Sequence, residues 1–190
     1  MQKETLHHPE LADLLRKAYS AEKAASFAYQ GHAASVKSEM EKAAIRQIEQ
    51  DEWNHRAEVL HIMQHYHIKP SWLYEVRFHL VGRTIGTACH VIGWFMPYYF
   101  AGRLESGNVC EYFRMIHFFH HLGITEHDQV LYNMGMKEKE HEVYFLGMIK
   151  HKKVLLWFEK IFAWGEKRGF NDVDLEQKYS LDEAEKYCRK

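Results

Sequence analysis

Two helical stripes in this chain carry a carboxylate and an imidazole where apolar side chains belong. Ile45, Ile48, Glu52, His55, Val59 and Ile62 step by 3, 4, 3, 4 and 3; His127, Leu131, Met134, Glu138, His141, Phe145 and Met148 step by 4, 3, 4, 3, 4 and 3. Such steps lie on one face of an α-helix. In "MGMKEKEHEVYF", Met134 to Phe145, Glu138 and His141 thus face the core, whereas Lys137, Lys139 and Glu140 point elsewhere. A carboxylate taken out of water without a partner costs several kcal/mol. A fold that buries these faces must set something cationic among them.

The rest of the sequence predicts an all-α chain. Only 3 Pro and 11 Gly occur in 190 residues, long stretches repeat at helical period, and alternating β-branched runs between turn dipeptides are missing. Pro9 suits the first turn of a helix running to about Val36, and a second helix covers Glu39 to Tyr66, before Lys69-Pro70. Ser71 is a candidate N-cap for a long apolar helix that Gly82, Gly86, Gly93 and Pro97 kink or divide. Helix resumes from about Pro97 to Leu122, Gly123 stops it, and Thr125 with Asp128 opens the next one, through Ile149. "KHKKVLLWFEKIFAWGEKRG" reads as a further amphipathic helix, and the final residues as a polar tail with one short helix from Ser180. The domain reading is one helical bundle over residues 1–169 and a tail over 170–190.

Two more carboxylates join the first two. Glu22 lies between Ala18, Ala25 and Tyr29, and Glu105 is in line with Tyr98, Ala101, Val109, Tyr112 and Ile116. Four helices then supply Glu, Glu-x-x-His, Glu and Glu-x-x-His, the ligand set of a carboxylate-bridged dimetal site in a four-helix bundle. Carboxylate and imidazole suit iron or manganese, and no thiolate set favours zinc or a cluster. Glu-x-x-His is weak evidence by itself. It also occurs at Glu4/His7, in a polar terminus, and at Glu58/His61, on a polar face with Asp51, Asn54 and His65. Only Glu52/His55 and Glu138/His141 lie on apolar stripes. His117, His120, His121, His61 and His65 have spacings that fit surface zinc, but solvated or core-edge histidines are the ordinary reading. Trp94 to Phe100 reads as core or as a lipid or substrate surface.

"EKAASFAYQGH" (Glu22 to His32), "IEQDEWNHRAEVLHIM" (Ile48 to Met63), "VGRTIGTACHVIGWFMPYYFAGRLE" (Val81 to Glu105) and "KEKEHEVYF" (Lys137 to Phe145) resemble, in order, the four metal-bearing segments of the demethoxyubiquinone hydroxylase family of the ferritin-like superfamily. The resemblance implies a ferritin-like four-helix bundle and a non-haem di-iron monooxygenase that uses O2 to hydroxylate the ring of a membrane quinone precursor. Carried over by residue, Glu22 and His55 would bind one iron, Glu105 and His141 the other, and Glu52 and Glu138 would bridge. Tyr29 and Tyr112 are candidate neighbours of the centre, and Asp51 a candidate brace for a ligand histidine. The chain departs from the family in its bulky aromatic approach to Glu105, in Arg103, and in "VCEYFRM" (Val109 to Met115) where the family has Glu-His-Tyr.

The remaining expectations concern partners and place. With 25 basic against 26 acidic residues, no positive field invites nucleic acid. No dinucleotide motif is present, so reductant must come from an external donor. Leu80 to Gly102 is too interrupted to span a membrane and reads as buried or interfacial. The aromatic segment and Lys152, Lys153, Lys160 and Lys167 suit peripheral contact with a membrane face. "MQKETLHHPELADLL" has no apolar signal region, and Cys89, Cys110 and Cys188, odd in number and without C-x-x-C spacing, read as reduced thiols of a cytoplasmic protein. A homo-oligomer is open. An iron-handling ferroxidase or peroxidase of the same fold, or a non-enzymatic scaffold at the membrane, are the competing readings.

Overall fold

The computed structural model describes residue 6 and residues 8–165. Six helices run in the order α1 (Pro9–Ser35), α2 (Glu39–His65), α3 (Trp72–Ala88), α4 (Phe95–His121), α5 (Asp128–Ile149) and α6 (Leu155–Phe162), with no strand among the described residues. The all-α expectation holds. The predicted tail and its short helix lie outside the described residues. The chain forms two compact units, one ending at Trp94 and the other beginning at Phe95.

In the first unit α1 packs on both α2 and α3. Each helix starts on a side-chain cap: His8 Nδ1 accepts from the Leu11 N–H at 3.0 Å, Ser38 Oγ from Glu41 at 3.3 Å and Ser71 Oγ from Tyr74 at 3.4 Å. These caps satisfy amides that lack intrahelical partners. Gly82 and Gly86 neither kink nor divide α3, as the sequence suggested. They let its backbone press on α1: a Cβ on Gly31 would stand 2.3 Å from the Gly86 Cα, and one on Gly82 would stand 2.5 Å from the Ala24 carbonyl oxygen. The division falls at Gly93, whose φ of +81° suits glycine.

One carboxylate then fixes the register of α3. Glu75 accepts from Ser20 Oγ at 2.8 Å, Lys23 Nζ at 2.9 Å and both Arg56 terminal nitrogens, at 3.1 and 2.8 Å. Arg56 also donates to the Tyr19 carbonyl and lies over the Tyr19 ring. Partial burial pushes the Glu75 pKa up, and the hydrogen bonds from Arg56, Lys23 and Ser20 outweigh it, holding it at about 2.

In the second unit α4 and α5 pair, and the chain turns at Gly123, φ +73°. Thr125 and Asp128 do not cap α5. Its N-cap is His127, without a side-chain cap bond, and Asp128 instead pairs with His120 at 2.7 Å. Of the aromatic run, Pro97, Tyr98 and Tyr99 are buried in α4, whereas Trp94 and Phe100 are exposed, so the segment is part core and part surface. Past α6 the chain turns through Ala163, φ +56°, and places Trp164 in the core. Tyr99 Oη donates to the Trp164 carbonyl at 2.9 Å and to that of Phe158 at 3.2 Å. The Trp164 ring fills the place of a Gly102 Cβ, 2.4 Å from where that atom would stand. Trp164 Nε1 donates to Glu142 Oε1 at 2.9 Å, and Lys139 Nζ to Glu142 Oε2 at 2.7 Å.

Lys139 is therefore not on a solvated face. It is 3% exposed and Glu142 is 1% exposed, because α5 is covered on a second side by α4 and the segment that follows α6. Burial lowers the Lys139 pKa and the Glu142 carboxylate opposes the shift. The cysteines also divide: Cys89 is a free buried thiol whose pKa burial raises to about 11, Cys110 is disulfide-bonded, and Cys188 lies outside the described residues. That corrects the reading of three reduced thiols.

Candidate metal centre

Each unit assembles one carboxylate and one Glu-x-x-His pair. In the first, Glu22 comes from the middle of α1 and Glu52 and His55 from the middle of α2. All three are buried, at 4%, 0% and 6% exposure, and one donor atom of each lies within 4.8 Å of the others. The stripe explains the placing. Ile45, Ile48, Val59 and Ile62 are buried above and below Glu52 and His55, so the apolar face that drives α2 onto α1 carries its polar pair inward.

The second unit repeats the arrangement. Glu105 of α4 and Glu138 and His141 of α5 are buried, and their donor atoms again fall within 4.8 Å of one another. Glu138 Oε2 lies 3.9 Å from His141 Nδ1, as side chains three apart on one helix face should. Asn108, one turn beyond Glu105, donates through Nδ2 to Glu105 Oε2 at 3.0 Å and to Glu138 Oε2 at 3.4 Å. The sequence reading missed it. The spacing from Glu105 was the only signal, and a half-buried Asn carries no ligand chemistry to draw notice.

The donor set fits a metal. Two carboxylates and an imidazole converging in a dry interior supply negative charge and neutral nitrogen at distances a single cation can gather. A structural ion pair would bring Lys or Arg instead, as Glu142 and Glu75 do. Arg103 takes no part: it is exposed and donates through Nε to the Phe162 carbonyl at 3.2 Å.

The outer candidates are placed as follows. Tyr29 and Tyr112 are buried, 2% and 1% exposed. Asp51 is half-buried and accepts from Gln47 Nε2 at 3.0 Å. Of the surface histidines, His117 and His121 stack edge to face, with ring centroids 4.1 Å apart.

Comparison with known proteins adds an independent line. A family model described as ubiquinone biosynthesis protein COQ7 matches residues 9–112, more than half of the chain. The match takes in Glu22, Glu52, His55 and Glu105 and ends before α5, so Glu138 and His141 rest on burial and distance. No curated protein and no solved structure matches the chain.

Proposed function

Since this chain belongs to the ubiquinone biosynthesis protein COQ7 family, we propose that it is a di-iron hydroxylase acting with O2 on an apolar quinone precursor. The observation that carries the reading is the repeated triad: each unit buries a Glu and a Glu-x-x-His pair whose donor atoms converge within 4.8 Å. In this proposal Glu22, Glu52, His55, Glu105, Glu138 and His141 serve one dimetal centre, with iron as the metal and manganese as the alternative. The metals would supply O2 activation.

The protein's own share is positioning and exclusion of water. Glu52 and Glu138, each 0% exposed, hold negative charge in the interior where an ion would balance it. Tyr98, Tyr112, Ile116 and Phe145, all buried, keep the Glu105 and Glu138 side of the second unit dry. The electrons come from a separate donor.

Reach to an apolar substrate is the second part of the proposal. No described helix is long and apolar enough to cross a membrane, yet α3 presents Leu73, Val76 and Leu80 to solvent at helical steps, with Trp72 beside them at 75% exposure. On α6, Leu156, Trp157 and Ile161 are exposed as well. Apolar faces on amphipathic helices suit the membrane–water interface, where a quinone precursor would be met. Co-sedimentation with phospholipid vesicles checks this: Trp72→Ser and Trp157→Ser together should release the protein, and unchanged binding of that variant would sink the membrane reading.

The deciding experiment for the centre is metal content. Freshly purified protein should hold about two irons per chain, and a Glu52→Ala/Glu138→Ala variant few. Loaded protein with a reductant and O2 should then hydroxylate a demethoxyquinone. Iron oxidation with no organic product would favour the iron-handling reading, and a parent that takes up neither metal would remove the centre altogether.

A further inference from the structure

The amide of Asn108 touches both carboxylates of the second triad. Glu105 and Asn108 are one turn apart on α4, so they share a helix face, and Glu138 reaches the same amide from α5. The contacts are Nδ2 to Glu105 Oε2 at 3.0 Å and Nδ2 to Glu138 Oε2 at 3.4 Å. On α1 the residue one turn beyond Glu22 is Ala25, which has nothing to donate.

The chemistry of an amide suits this place. Two buried carboxylates that approach within 4.8 Å repel one another when both are ionised. A Lys or Arg between them would relieve the repulsion but would also satisfy the charge and compete with a metal. An Asn Nδ2 brings two hydrogens and no charge. It ties the two groups together and leaves their combined negative charge for a cation. Because the bond goes to Oε2 in both cases, it also fixes how each carboxylate is turned.

We propose that Asn108 is a positioning residue for a metal bound by Glu105, Glu138 and His141, setting the orientation of both carboxylates. The inference rests on the dimetal reading. It predicts that the triad on α4 and α5 is set by an outer hydrogen bond that reaches both of its carboxylates.

The test uses the full chain, freed of metal with a chelator and titrated with Co(II), whose visible absorption reports coordination geometry. Outer partners of metal ligands are typically worth 10- to 100-fold in affinity. Asn108→Leu, which fills the space without donating, should therefore weaken one Co(II) by about tenfold or more and alter its band shape, while the metal-free melting temperature stays near that of the parent. Asn108→Gln, which keeps the amide on a longer stem, should recover part of the affinity. Asn108→Ala provides the same comparison if the Leu variant does not fold. Parent-like affinity and spectrum in Asn108→Leu or Asn108→Ala would overturn the inference and leave the metal centre standing. Loss of affinity in step with a lower metal-free melting temperature, without rescue by Gln, would show a merely structural role and overturn it too. A parent that binds no Co(II) would remove the dimetal reading and the inference together.

Discussion

Both units fasten a short segment to a pair of long helices with the same two devices, a glycine and a carboxylate, and they use them differently. In the first unit Gly31, Gly82 and Gly86 bring backbone against backbone, and Glu75 gathers Ser20, Lys23 and Arg56 at a half-buried site. In the second, Gly102 makes room for the Trp164 ring, and Glu142 joins Lys139 to the indole N–H where water is excluded. Burial decides what each device is worth. The half-buried clamp competes with water for the same partners and contributes modestly. The buried one has no water to fall back on, so breaking it leaves a charge stranded.

The largest effect therefore belongs to Glu142. Replacing it by Leu leaves the Lys139 ammonium and the Trp164 N–H buried without their acceptor, a loss of about 3–5 kcal/mol. The corresponding change at Glu75 should cost about 1 kcal/mol, because Arg56 and Lys23 can turn to solvent. Urea unfolding of the metal-free protein measures both. Equal losses would break the contrast between the units. The double change Lys139→Met/Glu142→Leu sharpens it, since removing both charges should restore most of the stability that the single change loses.

Acid next separates two groups of the first unit, His32 and Glu75. Burial lowers the His32 pKa from 6.5 to about 4, with the Glu41 charge opposing the shift. Between those values the unfolded chain takes up a proton that the folded chain refuses, so stability falls as pH drops from 6.5 and levels off below 4. The full effect approaches about 3 kcal/mol. Glu75 behaves in the other sense. Its folded pKa of about 2 lies under the ordinary carboxyl value of 4.5, so its contribution is intact above 4.5 and is lost only as pH falls from there toward 2. Unfolding followed in chelator from pH 7 to pH 4 should show a slope that His32→Leu flattens. An unchanged slope in that variant would exclude His32 as the source.

What was legible in the sequence, and what was not, follows the range of each signal. Helical period is local, so the stripes carrying Glu52/His55 and Glu138/His141 could be read directly, and the structure buries all four. Helix ends were readable where a cap lies within three residues, as at Ser71, and misread at Thr125 and Asp128, where Asp128 is drawn to His120 across the turn. Lys139 and Glu142 were missed for a reason of distance. The side of α5 that they occupy becomes interior only when Trp164 arrives, more than twenty residues later, and no period on α5 encodes that arrival. Asn108 was missed because its partner Glu138 is on another helix. Gly82 and Gly86 were assigned to kinks because sequence shows what a glycine permits, and only packing shows which permission is used.

The smallest effect isolates that last point. A glycine inside a helix costs about 1 kcal/mol relative to alanine unless the missing side chain makes room for something. At Gly86 the room is used: a Cβ would meet the Phe27 carbonyl oxygen at 2.7 Å, a backbone atom that cannot move without separating α3 from α1. Gly86→Ala should therefore destabilise by about 2 kcal/mol even after the propensity gain. At Gly107, on the exposed side of α4, nothing lies within 4 Å of the added atom, and only propensity acts. Gly107→Ala should raise stability by about 0.5–1 kcal/mol, seen as a higher melting temperature, and the opposite sign from Gly86→Ala is the diagnostic result. If both substitutions stabilise, the close approach of α1 and α3 yields to a methyl group at little cost, and the glycines of the first unit would no longer account for how α3 is held.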